Sequence, residues 1–130
     1  MDEKTCDKVL VMGWNTELSV AVASGLLDAQ MDLAMVGSTD NARRWIEREK
    51  DRFAALIIAI GDRGEGLAFI RELRDEEALH ERPRRPMVAI SDVALPEADK
   101  LCASTGADAI LPRNDVPKII ETIRALLAER

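Results

Sequence analysis

The chain has 130 residues, 47% of them hydrophobic, with 18 Lys or Arg against 24 Asp or Glu and a net charge of −6 at neutral pH. This length fits one domain that buries roughly two thirds of the surface its unfolded form would expose. The negative balance repels phosphate backbones, and the apolar runs fall short of the roughly 18 to 20 residues of a membrane-spanning helix, so nucleic acid and membrane are excluded as partners.

Cys6 and Cys102 lie far apart and outside any Cys-x-x-Cys spacing. No charged-then-apolar leader opens the chain, and a reduced, cytoplasmic protein is expected. Residues 1–7 read as a tail and 8–130 as a single soluble domain, without repeats or low-complexity tracts.

Five short apolar runs alternate with five longer segments of helical spacing, the pattern of βαβ units around a parallel sheet covered by helices on both faces. The first strand falls at 8–12. A helix over 16–30 follows, with Leu18, Val22 and Leu26 forming an inward stripe, while Trp14 and Asn15 make the connection.

The second strand, 32–36, ends at Gly37, and Ser38 or Thr39 caps a helix running to Lys50. Trp45 shares a face with Ala42 and Ile46 and is assigned to the core. The third strand, 54–60, is almost wholly apolar, as a central parallel strand should be.

Gly61, Gly64 and Gly66 lack the lysine and spacing of a P-loop and read as turn residues. The helix after them turns Leu67, Ile70 and Leu73 inward and ends near His80. His80 is the only histidine and has no nucleophile motif nearby, so it reads as a solvated helix end rather than a general base. Arg82, Arg84 and Arg85, set among Pro83 and Pro86, read as a solvated loop.

The fourth strand is 87–91, the next helix 96–105 stops at Gly106, and the fifth strand is 107–111. The last helix is capped by Asp115, has Pro117 in its first turn, and carries the stripe Ile119, Ile120, Ile123, Leu126 and Leu127.

The five-fold alternation, the segment 65–74 (EGLAFIRELR) and the segment 105–113 (TGADAILPR) together resemble the receiver domain of bacterial response regulators, the CheY-like superfamily. The resemblance covers nearly the whole chain. It implies a (βα)5 doubly wound, flavodoxin-like sheet of order 2-1-3-4-5 with its site at the carboxyl ends of the strands. It also implies a two-component signalling role rather than that of an enzyme.

A working receiver has two acidic residues after the first strand to hold Mg²⁺, a phosphoacceptor Asp ending the third, a Ser or Thr after the fourth and a Lys after the fifth. Carboxylates suit the hard cation, the Asp supplies the attacking oxygen, and the hydroxyl and ammonium neutralise phosphoryl oxygens. Carried onto this chain, Gly13 and Trp14 stand at the acidic pair and Ile58, or Ala59 with a shorter loop, at the acceptor. Ser91 keeps the hydroxyl, Arg113 replaces the lysine, and Asn114 stands where the family usually has a proline.

The expectation is therefore a degenerate, pseudo-receiver pocket with no metal and no cofactor, acting through a kinase, an effector or a second copy of itself. The binding face is expected on the fourth helix, fifth strand and fifth helix, at Ala98, Leu101, Cys102 and Ile110, and a homodimer could use it. Ile110 stands where receivers switch an aromatic side chain. Trp14 fills the vacated metal space or anchors a partner.

Asp62 is kept as a displaced phosphoacceptor in the alternative of an active receiver. Glu17 and Asp92 read as helix-start and loop residues rather than substitute ligands. A small-molecule binder of flavodoxin type is the third reading.

Overall fold

The computed structural model describes residues 8–13, 16–49, 53–61, 64–91 and 95–129, with 16–19 and 49 as backbone only. Five strands and five helices alternate: β1 (Lys8–Met12), α1 (Thr16–Asp28), β2 (Asp32–Val36), α2 (Thr39–Glu49), β3 (Phe53–Ala59), α3 (Glu65–Leu79), β4 (Met87–Ser91), α4 (Ala98–Thr105), β5 (Ala109–Pro112) and α5 (Val116–Ala128). The strands form one parallel sheet in the order β2-β1-β3-β4-β5. No described helix is long and apolar enough to cross a membrane.

Alternation along the central strands separates two cores. Leu10, Met12, Leu56, Ile58, Met87 and Ala89 face α2 and α3, where they meet Ala42, Ile46, Phe69, Ile70 and Leu73. Val9, Val11, Ala55, Ile57, Val88 and Ile90 face α1 and α5, meeting Val22, Leu26, Ile119 and Ile123. Period-two side chains on doubly covered strands explain why these runs are apolar throughout. At roughly 1.5–3 kcal/mol for each large side chain removed from water, these two layers carry most of the stabilisation.

Several element ends differ from the sequence reading. α1 stops at Asp28 rather than 30, because Gln30 takes a left-handed conformation (φ 64°) and the Met31 amide bonds back to the Leu26 carbonyl. This is a C-terminal turn closed without the usual glycine. β3 begins at Phe53, opposite Lys8 across a register shift, and ends at Ala59.

α4 begins at Ala98, since Pro96 and Glu97 form a turn. β5 runs Ala109–Pro112, two residues later at its start than expected. Lys50 lies outside the described residues. Ser38 is the cap of α2, its Oγ accepting from the Asn41 amide at 3.2 Å, and Asp115 caps α5 through the Lys118 amide at 3.2 Å.

Trp45 is half-buried on the α2/α3 core, edge-on to Phe53, with Lys8 and Arg48 over its ring. Of the stripe on α5, Ile119 and Ile123 are fully buried and Ile120, Leu126 and Leu127 partly so.

The reading of the arginine loop is corrected at Arg85, which is buried beside the equally buried Glu77. Glu77 accepts from the Arg85 amide at 3.2 Å, so the carboxylate enters the interior together with its donors.

Gly66 is fixed by close approach rather than by a turn. Its amide donates to the Ile60 carbonyl at 2.8 Å, and a Cβ built there would lie 2.0 Å from the Ala59 carbonyl oxygen. Gly66→Ala should therefore push α3 off the end of β3 and cost about 1–3 kcal/mol, read by urea denaturation with an unchanged m-value. A variant as stable as the parent would contradict this packing.

Candidate functional site

The sheet ladder brings the ends of β1, β3, β4 and β5 into one row. Met12 pairs with Ile58, Ile58 with Ala89, Ala59 with Ile90, and Ser91 with Pro112. Backbone bonds continue the row past the strands: Gly13 N–H to the Val36 carbonyl at 3.3 Å, Ile60 N–H to Ile90 at 2.9 Å, and Arg113 N–H to Ser91 at 2.9 Å. Gly13, Ile58, Ala59, Ser91 and Arg113 thus lie along the carboxyl edge of the sheet. Trp14, Asp62 and Asp92 lie outside the described residues, as does the Glu17 side chain.

The chemistry of the described row is apolar on one side and polar on the other. Ile58 is wholly buried in the same cluster as Met12, Phe69 and Ala89. Ala59 is also buried, and Gly13 has no side chain. At the β4 and β5 ends, Ser91 contributes a buried hydroxyl and Arg113 an exposed guanidinium.

A hard divalent cation needs several oxygen ligands, and Gly13, Ile58 and Ala59 supply no side-chain oxygen. No group of three or more His, Cys, Asp or Glu among the described residues could hold a metal ion. The described residues do not fit the magnesium site that a working receiver requires.

The face expected on α4 and β5 is half-buried at each of Ala98, Leu101, Cys102 and Ile110. Cys102 and Ile110 turn partly inward, packing on the α2/α3 core. α4 itself has no fully buried residue.

Sequence reasoning missed a charged cluster at the opposite, amino end of β4 and β5. Arg74 on α3 bonds Glu77 at 2.9 Å and Asp108 at 2.8 Å, and its Nε donates to the Gly106 carbonyl at 2.8 Å. Asp108 also accepts from the Met87 amide at 2.8 Å and from Arg84 at 2.8 Å. The signal was present: Arg74 closes one of the two motifs that carried the family resemblance, and Asp108 lies within the other. They mark a structural junction rather than a reactive one.

Comparison with solved structures confirms the architecture. The receiver domain of Francisella response regulator 1452 is 15% identical, covering 95% of this chain and 98% of that one, with a TM-score of 0.79. A response regulator from Thermotoga maritima is 16% identical over 95% of this chain and 99% of its own, TM-score 0.80. The beryllofluoride-activated receiver domain of Klebsiella pneumoniae RstA is 21% identical over 93% and 98%, TM-score 0.76.

No protein-family model matches the chain. No curated protein matches it either. The chain has the doubly wound α/β fold of response-regulator receiver domains.

Burial pushes the Cys102 thiol above its ordinary range, and the charges of Asp99 and Asp108 add to the shift. In a Cys6→Ser background, iodoacetamide should alkylate Cys102 more slowly than a free cysteine peptide at mildly alkaline pH, with the pH profile displaced upward. A rate equal to the peptide's would contradict that placement.

Proposed function

We propose that the chain is a pseudo-receiver: a signalling module that acts by binding a protein partner and does not undergo Mg²⁺-dependent aspartyl phosphorylation. The observation that carries this reading is the apolar end of β3, where Ile58 is fully buried beside Met12 and Ala59 follows it. Phosphoryl transfer needs an attacking carboxylate and a charge-neutralising metal, and an isoleucine in a hydrocarbon layer supports neither.

The polar half of the pocket supports the same reading. Ser91 and Arg113 stand at the positions from which a hydroxyl and a lysine ammonium meet phosphoryl oxygens in a working receiver. Without acceptor and cation they provide binding or structure, not chemistry. The partner is a kinase, an effector or a second copy of the chain, met at the α4–β5–α5 face in a reduced, cytoplasmic setting. Ile110 on β5, partly packed inward, leaves that face without an aromatic rotamer switch. Its state then depends on partner binding, which selects among existing conformations.

Incubation with Mg²⁺ and acetyl phosphate should leave the intact mass unchanged. A stoichiometric, hydroxylamine-labile phosphoryl adduct would overturn the proposal, and its loss in Asp62→Asn would assign the adduct to that carboxylate.

On the binding side, Leu101→Arg should weaken capture of the physiological partner, or self-association, by about tenfold or more while the thermal transition moves little. Unchanged binding would remove α4 from the interface.

A further inference from the structure

β2 is an open edge of the sheet: β1 is its neighbour on one side, and no described strand pairs with the other. The Val36 carbonyl turns toward β1, where it accepts from the Gly13 amide at 3.3 Å, so by alternation the outward backbone groups are those of Leu33 and Met35. The Leu33 amide donates there to the Asp32 carboxylate at 3.0 Å. The opposite edge, β5, is four residues long and ends in Pro112, which has no amide to offer. β2 holds no proline, pairs with β1 without a register shift, and has Asp32 at its first position as its one charge.

The surface beside this edge is apolar. Three of the four large hydrophobic side chains exposed among the described residues lie on α1 and β2: Val20 is 56% exposed, Leu27 60% and Met35 43%. Met35 pairs with Val11, which faces α1 and α5, so it stands on the α1 side of the sheet. On α1, Gly25 faces α5, where a Cβ would lie 2.8 Å from Ile120, while Val22 and Leu26 face the sheet. Val20 and Leu27 lie roughly 140–160° around the helix from Gly25, on the side away from α5. The small Ala23 and Ser24 come between them, and residues 18–27 hold no charge.

We propose that β2 is the seam of a two-fold dimer, in which the β2 strands of two copies pair antiparallel and their α1 helices pack across them. A two-fold axis at Ala34 sets Leu33 opposite Met35 of the second copy, and these are the residues whose backbone groups point outward. Each such pair exchanges both backbone bonds and brings two apolar side chains together on the α1 face. The Leu33 amide exchanges the Asp32 carboxylate for a Met35 carbonyl. α1 lies over β1 and β2, so its counterpart comes within roughly 10 Å, the distance of packed helices. Antiparallel packing there sets Val20 against Leu27, with the small residues at the crossing.

Charge fits the same arrangement. Asp32 shares the α2 face with its ladder partner Lys8, and the pairing sets it opposite Val36 of the second copy. That holds it roughly 14 Å from its own counterpart and beside the start of the second copy's α2, where free helix amides favour an anion. β2 and β5 are opposite edges, so the dimer leaves α4, β5 and α5 open on both copies. The seam does not rest on the pseudo-receiver reading.

Sedimentation equilibrium on the whole chain tests it. The unaltered chain should show a monomer–dimer equilibrium below about 1 mM. Met35→Pro removes an outward amide and leaves the β1–β2 ladder intact, while Leu27→Arg puts a charge on the helix stripe. Each should weaken the dimer about tenfold or more, with the thermal transition of the dilute monomer close to the parent's. Leu101→Arg, on α4, should leave the equilibrium unchanged. A chain that stays monomeric throughout, or a dimer that survives both seam variants, would overturn the proposal. So would a dimer lost only in Leu101→Arg, which assigns the contact to α4. Loss in Leu27→Arg alone would overturn the strand pairing, and loss in Met35→Pro alone the helix packing. Should Met35→Pro fail to fold, Met35→Lys, whose charge falls opposite Leu33 in the seam, is read in its place.

Discussion

The constraint on which the structure depends is the burial of β3 on both faces. Its neighbours are β1 and β4, one helical layer lies over each face, and five of its seven residues, from Ala55 to Ala59, form an unbroken buried run. A strand in that position tolerates a charge only where it emerges from the sheet, and only if metal or cations compensate it. Here the strand stays apolar to its last residue, and Gly66 brings α3 directly against the backbone at that point. The chain therefore keeps the doubly wound fold, with Ile58 and Ala59 at the end of its third strand buried in hydrocarbon packing.

Buried charge among the described residues is concentrated at the amino end of β4 and β5. Arg74, Glu77, Asp108 and Arg85 are largely buried; the first three each bond a backbone group as well as another charge, and the Arg85 guanidinium lies 3.7 Å from Glu77. Removing one member of such a set strands the others, at about 3–5 kcal/mol. The cluster joins α3, the loop after it, the close of α4 and the start of β5. A second tie, Arg43 to Glu72 and Glu76 at 2.8 Å each, joins α2 to α3 nearer the surface. Burial acts to lower the Arg43 pKa, but the two carboxylates prevail and hold it above its ordinary value.

The architecture was legible because its signals are periodic. Doubly covered strands read as continuous apolar runs, and the stripes on α1 and α5 recur at helical spacing, so element order followed, while the sheet order came from the family resemblance. Boundaries were less legible where one residue substitutes for another's role. Gln30 closes α1 in a conformation usually left to glycine, and Pro96 opens a turn rather than a helix. Arg85 defeated the reading because an arginine among prolines looks solvated, and nothing local shows that Glu77 on the preceding helix waits for it. The row Gly13, Ile58, Ala59, Ser91 and Arg113 was legible only through family motifs, because its defining property is what the residues lack.

The central claim, that this carboxyl edge does not assemble a metal–phosphoryl site, is tested most directly by recording amide spectra of the chain with and without Mg²⁺ and beryllofluoride. The account predicts that the resonances of Gly13, Ala59, Ser91 and Arg113 stay in place at saturating Mg²⁺. Saturable, Mg²⁺-dependent shifts converging on those four residues would contradict it.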